Sequence, residues 1–379
     1  MNRKGLDSAY CLRFPQICQI ILDFPKKDSM LNEKNMTKPT RTDVSELGEF
    51  GLIDRIQSLV SSRYRSTFLG IGDDCAVIDN GEDYTLLSVD TMVEGLHFDL
   101  MYCPLKHVGY KAIVSSISDI YAMNGKPSHV IISLSLSSKY SVEAVEELYK
   151  GMERAASFYN VDIVGGDTTS SLSGATIGVT AYGRVTKEQL VLRSGANPGD
   201  ALFVTGNLGG AYMGLQVLNR EKQIFLQNPD MQPELEGHDY VVGRQLKPEA
   251  RYDVIEALAK ASIVPTAMID ISDGLSSECL HLAKSSKVGV EVHEQFVPIQ
   301  QETYDLSLEL NIDPITSAMN GGEDYELLFT VDPSLAERVR EEVPDCIEIG
   351  IIHKAEKGSF LTSRTNQHYP LTAQGWKAF

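Results

Sequence analysis

Carboxylates dominate the residues of this 379-residue chain that could do chemistry, and most of them share one setting. Each closes an apolar, strand-like run beside glycine or serine: Ile71-Gly72-Asp73-Asp74, Ser88-Val89-Asp90, Gly165-Gly166-Asp167 and Asp270-Ile271-Ser272-Asp273-Gly274. Strand ends rim binding clefts, and glycine lets backbone approach a phosphate closely. Asp119 is a further candidate. It lies in a helix-patterned stretch with Ile113, Ser116, Ile117 and Ile120, where a bare charge is costly. Taken singly, each motif has a plainer reading: Gly-Asp-Asp and Gly-Gly-Asp are common turns, and Asp119 could be a helix residue with a satisfied hydrogen bond. The recurrence of four such segments in one chain points to a shared site.

If these carboxylates converge, they need a counter-charge. Two like charges about 4 Å apart repel by roughly 4 kcal/mol at an effective dielectric near 20. No lysine or arginine lies within the motifs themselves. A hard divalent ion answers the need: Mg²⁺ takes oxygen ligands, keeps waters and bridges to phosphates. The residues alone therefore point to a joint metal and phosphate site.

Other candidates are softer. His97 follows the Asp90 run and either faces the same cleft, where it could contact a phosphate, or lies on the surface. Arg193, in Leu192-Arg193-Ser194-Gly195-Ala196, either holds ATP phosphates or is a solvated linker residue. Trp376, the single tryptophan, either stacks on a flat ring or anchors the tail. Gly206-Asn207-Leu208-Gly209-Gly210 lacks the Gly-Lys-Ser/Thr of a Walker loop.

The pattern predicts α+β elements in two domains to position these residues. Residues 1–45 carry eight Lys/Arg against five Asp/Glu and read as a flexible tail, with Met30 and Met36 as alternative starts. Residues 46–186 predict a mixed sheet with helices on one face. Strands are expected at Thr67–Ile71, Tyr84–Asp90, Val130–Leu136, Val161–Val164 and Ala175–Val185. Helices are expected after Glu46, at Val108–Met123 (stopping at Asn124-Gly125) and at Val142–Tyr159 with Ser141 as N-cap. Residues 187–379 predict a second, α/β sandwich-like domain. Its strands are Ala201–Thr205, Ala267–Ile271, Gly289–His293, Glu326–Val331 and Glu348–Ile352. Its helices follow Gly210 and cover Glu249–Ala261 and Leu275–Ala283, with a polar loop at Gln227–Gly237.

Composition narrows the partners. The formal net charge of −18 disfavours nucleic acid and anionic membranes. No apolar run approaches the ~18 residues that span a bilayer. Six cysteines without a C-x-x-C pair, and no secretory signal, predict reduced thiols in the cytoplasm.

Together these segments resemble the thiamine-monophosphate kinase family, within the aminoimidazole-ribonucleotide-synthetase-like ATP-binding superfamily. The resemblance runs from about Gly48 to Phe379. It also rests on Gly48-Glu49-Phe50-Gly51-Leu52-Ile53, Glu94-Gly95, His97-Phe98, Ser118-Asp119, Gly321-Gly322-Glu323-Asp324-Tyr325-Glu326-Leu327 and Gly375-Trp376-Lys377. It implies conversion of thiamine monophosphate to thiamine diphosphate with ATP as co-substrate, several Mg²⁺ ions, and a homodimer whose N-terminal sheets form a barrel. By that resemblance Asp74, Ser88, Asp90, Asp119, Asp167, Asp270 and Asp273 hold metal. Tyr149, Gly166, Asp167, Arg193 and Ser272 hold the nucleotide, and His97, Glu323 and Trp376 hold the acceptor. Val89 departs from the family, which often has threonine there, so a hydroxyl ligand is lost. Transfer is expected to be direct and in line, with no general base. The alternatives are another enzyme of the superfamily, like a purine-biosynthetic cyclo-ligase or selenophosphate synthetase, and a non-catalytic nucleotide or metal binder.

Overall fold

The computed structural model describes residues 42–373. Trp376 and nearly all of the expected tail therefore lie outside the described residues. The chain divides into two units, Met1–Glu46 and Leu47–Phe379, and both sheets belong to the second. The first helix, α1 (Val44–Leu59), is broken at Gly48 (φ 66, ψ 179), a backbone setting that favours glycine. None of its residues is buried, so the apolar spacing of Phe50, Ile53 and Ile56 does not make a core face here.

The first sheet has the order β1-β2-β3-β6-β4-β5: β1 (Thr67–Leu69), β2 (Ala76–Asp79), β3 (Asp83–Val93), β4 (Lys126–Leu136), β5 (Asp162–Ser170) and β6 (Ala175–Thr186). Its pairings are antiparallel except β4 with β5. β6 alternates buried and partly exposed residues along its length, the mark of a sheet covered on one face. The cover is α2 (Leu105–Ala122), backed by α3 (Val142–Tyr159). Both glycines at the α2–α3 crossing are required. A Cβ on Gly109 would meet Leu148 O at 2.0 Å, and one on Gly151 would meet Lys106 O at 1.9 Å. Ser141 caps α3 as expected, accepting from Ala144 N at 3.2 Å, a contact worth about 1 kcal/mol. Asn124, in the left-handed region (φ 57), lies just past the end of α2. The uncovered face carries apolar side chains: Val89 is 66% exposed, Ile131 50% and Val164 55%.

The second sheet is seven-stranded, order β13-β12-β9-β11-β7-β10-β8: β7 (Ala201–Thr205), β8 (Ala267–Ile271), β9 (Val288–His293), β10 (Glu326–Val331), β11 (Cys346–Lys354), β12 (Phe360–Thr362) and β13 (His368–Pro370). It lies between helices on both faces. Leu202 and Val204 of β7 pack with α7 (Leu275–Ser286) and α9 (Pro314–Asn320). Phe203 faces the other way, toward α6 (Tyr252–Lys260) and α10 (Ala336–Glu342). The remaining helices are α4 (Gly210–Gln227), α5 (Asp239–Leu246) and α8 (Gln301–Glu309).

Two expectations are corrected. Asp90 and Asp167 do not end their strands; both lie inside them, because β3 pairs with β6 through Val93 and β5 pairs with β4 through Ser170. The glycine before Asp167 permits that pairing, since a Cβ on Gly166 would sit 1.9 Å from Ile132 O.

Candidate functional site

Three elements bring carboxylates together. Asp74 lies in the turn between β1 and β2, Asp119 in the last turn of α2, and Asp270 near the end of β8. One carboxylate oxygen from each lies within 4.8 Å of the others. The unit forms because α2 packs on the first sheet and also reaches β8 of the second. Asp119 is costly for a purely structural residue: an acid in a helix's last turn opposes the helix dipole. Asp90, on β3, faces the same cluster and raises the pKa of Asp119. Ser118 donates to Asp270 Oδ2 at 2.6 Å.

The chain supplies one counter-charge that the motifs alone did not reveal. Arg193 is no solvated linker residue. Its Nη2 and Nε lie 2.6 Å and 3.2 Å from Asp74 Oδ1, and its backbone N–H donates to Asp73. One guanidinium does not balance this many acids. Burial first, and then the Asp74 charge, push Asp270 up to about 8 and Asp73 up to about 7. Burial also pushes Asp90 up to about 6 and, with Asp90 and Asp270 as neighbours, holds Asp119 well above the usual carboxylate range. Asp74 Oδ2 is buried and has no hydrogen-bond partner among the described residues. An all-oxygen donor set with an orphaned carboxylate oxygen and excess negative charge fits a hard divalent cation.

A second group stands beside the first. Glu323 Oε1 pairs with Lys111 Nζ at 2.5 Å, and Oε2 accepts from Gln245 Nε2 at 2.7 Å. His97 feels both the Glu323 and Lys111 charges. Burial is the largest influence and lowers its pKa, while Val93 N–H donates to its Nδ1 at 2.9 Å. Glu323 itself occupies the left-handed region (φ 67), strain that clusters at functional sites. Lys111 and Gln245 were missed in the sequence. The signal was there for Lys111: a lysine inside the apolar stretch Val108–Ile117, which proves almost fully buried.

Ser272 and Asp273 follow β8. Asp273 is raised to about 6 by burial, then by Glu49, and it also senses Arg193, Asp90 and Glu323. The structure does not bring every candidate to the cluster. Ser88 Oγ is committed, donating to Ser116 O at 2.7 Å. The register Thr91↔Gly178↔Ser133↔Asp167 puts Asp167 on the sheet face opposite Asp90, on the exposed edge strand β5 with Gly166. Tyr149 packs on α3 against the first core. Val89 shares the exposed face, so the missing hydroxyl at this position does not point at Asp74, Asp119 and Asp270. The Gly206–Gly210 turn is not open for an anion, because Asp324 already accepts from Gly209 N at 2.7 Å and Ala211 N at 3.4 Å.

Residues 72–185 match the family described as AIR synthase related protein, N-terminal domain, and residues 197–361 match the corresponding C-terminal domain. The thiamine-monophosphate kinase of Aquifex aeolicus (strain VF5) is 36% identical over 337 residues, spanning 89% of this chain and 99% of its own. That of Bacillus subtilis (strain 168) is 33% identical over 339 residues, 88% and 100%. The solved structure of AaThiL complexed with AMPPCP and TMP has a TM-score of 0.76 and 34% identity, covering 90% of this chain and all of that one. A hydrogenase maturation protein HypE in complex with ATP, 17% identical with a TM-score of 0.62, shares the fold alone. With both domains matched and the alignment running along nearly the full length of these relatives, the chain belongs to the thiamine-monophosphate kinase family.

Proposed function

We propose that the chain transfers the terminal phosphoryl group of ATP to thiamine monophosphate, giving thiamine diphosphate and ADP. The observation that carries this reading is the meeting of Asp74, Asp119 and Asp270, with Asp90 beside them, in a chain like one solved with AMPPCP and TMP. The acceptor needs no general base: a phosphate monoester has a second pKa of about 6, so its oxygen is already a nucleophile at neutral pH. The barrier is the approach of two anions. Mg²⁺ ions held by Asp74, Asp90, Asp119, Asp270 and Asp273 would screen those anions and favour in-line geometry.

The chain's own residues divide the remaining work. Arg193 holds Asp74 in place and offers a guanidinium to the nucleotide phosphates, and Ser272 serves the same nucleotide in this reading. Glu323 and His97 take the acceptor; Trp376, the third residue of this reading, lies outside the described residues. Asp167, Gly166 and Tyr149 belong to the nucleotide site of this reading, and Asp167 lies on the sheet's exposed face. That face, apolar at Val89, Ile131 and Val164, supports a homodimer through the first sheet, in which Asp167 serves a site completed by the second copy. No helix among the described residues is long and apolar enough to cross a membrane. Cys75, Cys103, Cys279 and Cys346 are free thiols, which supports a cytoplasmic setting.

The test is ATP plus thiamine monophosphate with and without Mg²⁺, read by product mass. Thiamine diphosphate should form only with the metal. ADP without the diphosphate would assign the chain to another reaction of the superfamily, and nucleotide binding without ADP would make it a binder.

A further inference from the structure

Beneath the loop that follows β8 lies a carboxylate that no role above uses. Glu278, on α7, is 2% exposed. Its neighbours on that helix, Leu275, Cys279 and Leu282, belong to the second sheet's apolar core. Burying a carboxylate there is costly, and a leucine would fill similar space without that cost. Its Oε1 accepts the backbone N–H of both Ser272, at 3.1 Å, and Asp273, at 2.8 Å. Its Oε2 has no hydrogen-bond partner among the described residues. The side chain therefore does one visible thing: it fixes two consecutive amides of the loop that bears Asp273.

That loop is stitched to the one bearing Glu323. Ser272 O accepts from Glu323 N at 2.7 Å, and Ile271 O accepts from Tyr325 N at 2.9 Å. Two glycines make the approach possible. A Cβ on Gly322 would sit 2.4 Å from Ser272 O, and one on Gly274 (φ 119) would sit 2.9 Å from Asn320 C. Glu323, at φ 67, is held in a conformation that is uncommon for a non-glycine residue and persists where its surroundings over-determine it.

The geometry points to Glu278 as a positioning residue for both substrate sites at once. Through Asp273 it sets the metal and nucleotide side. Through Ser272 and its bond to Glu323 it sets the acceptor side. It acts as a double hydrogen-bond acceptor and not as a charge. The inference rests on the reading of thiamine monophosphate phosphorylation given above.

The experiment uses the full chain as wild type, Glu278→Gln, Glu278→Leu and Glu278→Ala. Wild type is assayed first: failure to make thiamine diphosphate sinks the functional reading alone. Amide exchange in wild type tests the placement independently. The Ser272 and Asp273 amides should exchange at least about tenfold slower than exposed amides, and exchange at the exposed rate overturns the proposal whatever the variants do. Glu278→Gln should stay within about threefold of wild type, because its amide oxygen accepts the same bonds. Glu278→Leu, or Glu278→Ala if the leucine variant does not fold, should lose about 10- to 100-fold in kcat/KM. KM should rise for both ATP and thiamine monophosphate. A merely structural role would lower the active fraction and leave both KM values unchanged. Unchanged KM values, or a folded Glu278→Gln as damaged as Glu278→Leu, overturn the proposal.

Discussion

Arg193 Nη2 lies 2.6 Å from Asp74 Oδ1, so a residue of the connection between the two sheets supplies the cation that the acidic motifs lack. Asp74's side chain is fully buried and Arg193's is mostly so. Breaking such a pair leaves an uncompensated charge, worth about 2 kcal/mol here after allowing for Arg193's partial exposure. Arg193→Met should therefore lower Tm in the presence of a chelator and recover much of the loss when Mg²⁺ is added. A melting curve indifferent to Mg²⁺ would remove the metal from the cluster.

The two carboxylates should behave differently. Asp119→Asn removes an acid whose charge burial and its acidic neighbours already disfavour, so the metal-free protein should melt no lower than wild type, whereas Asp74→Asn also takes away the partner of Arg193 and should melt lower. Turnover should nonetheless fall by at least about 100-fold, the scale of losing one electrostatic stabiliser at a reacting phosphate. Steady-state kinetics at saturating Mg²⁺ check this, and near-normal kcat in either variant would end the metal role.

Much of this was legible because strands and helices obey local rules. Val142–Tyr159 with its Ser141 cap, Ala267–Ile271 and Glu326–Val331 fall where the pattern put them. The convergence of Asp74 and Asp270 was legible in the recurrence of acids beside glycine or serine, and that of Asp119 in a charge set among apolar helix residues; electrostatics alone opposes it. The short strand β2 was not legible, since Ala76–Asp79 carries too few residues for a period. Nor was the side of the sheet on which Asp167 projects, because facing depends on a register that runs through β6 and β4, far off in sequence. Lys111, and the pairing of the candidate Arg193 with Asp74, were hidden for one reason: a cation's partner is chosen by tertiary approach, 119 residues away for Arg193 and Asp74.

Stability of the metal-free protein should fall as pH rises. Asp270, raised to about 8, and Asp73, raised to about 7, bind more protons folded than unfolded between their ordinary values near 4 and those raised ones. With νN above νU the slope of unfolding free energy against pH is negative, so this contribution is present below about pH 4 and lost as pH climbs through 7 and 8. Thermal melts from pH 5 to 8 should thus decline in chelator. Added Mg²⁺ should flatten the decline, since the ion takes the deprotonated ligands and releases their protons. A rise in Tm over that range without metal would contradict the clustering.

Lys111 offers the sharpest check on the acceptor side. Its ammonium is buried and lies 2.5 Å from Glu323; burial does most to lower the pKa of His97, Glu323 raises it, and the Lys111 charge adds to the lowering. Lys111→Met keeps the stem and removes the charge, leaving Glu323 with Gln245 alone. KM for thiamine monophosphate should rise about tenfold, the equivalent of about 1.4 kcal/mol, with KM for ATP little changed. The same substitution removes the repulsion that disfavours imidazolium, so the His97 titration should move to higher pH. The two readouts separate mechanism from damage. Damage to the fold would lower the active fraction and leave both KM values unchanged, whereas loss of the ion pair raises KM for thiamine monophosphate alone and moves the His97 titration. If His97 titrates in the variant where it does in wild type, the Lys111 charge does not reach the acceptor site.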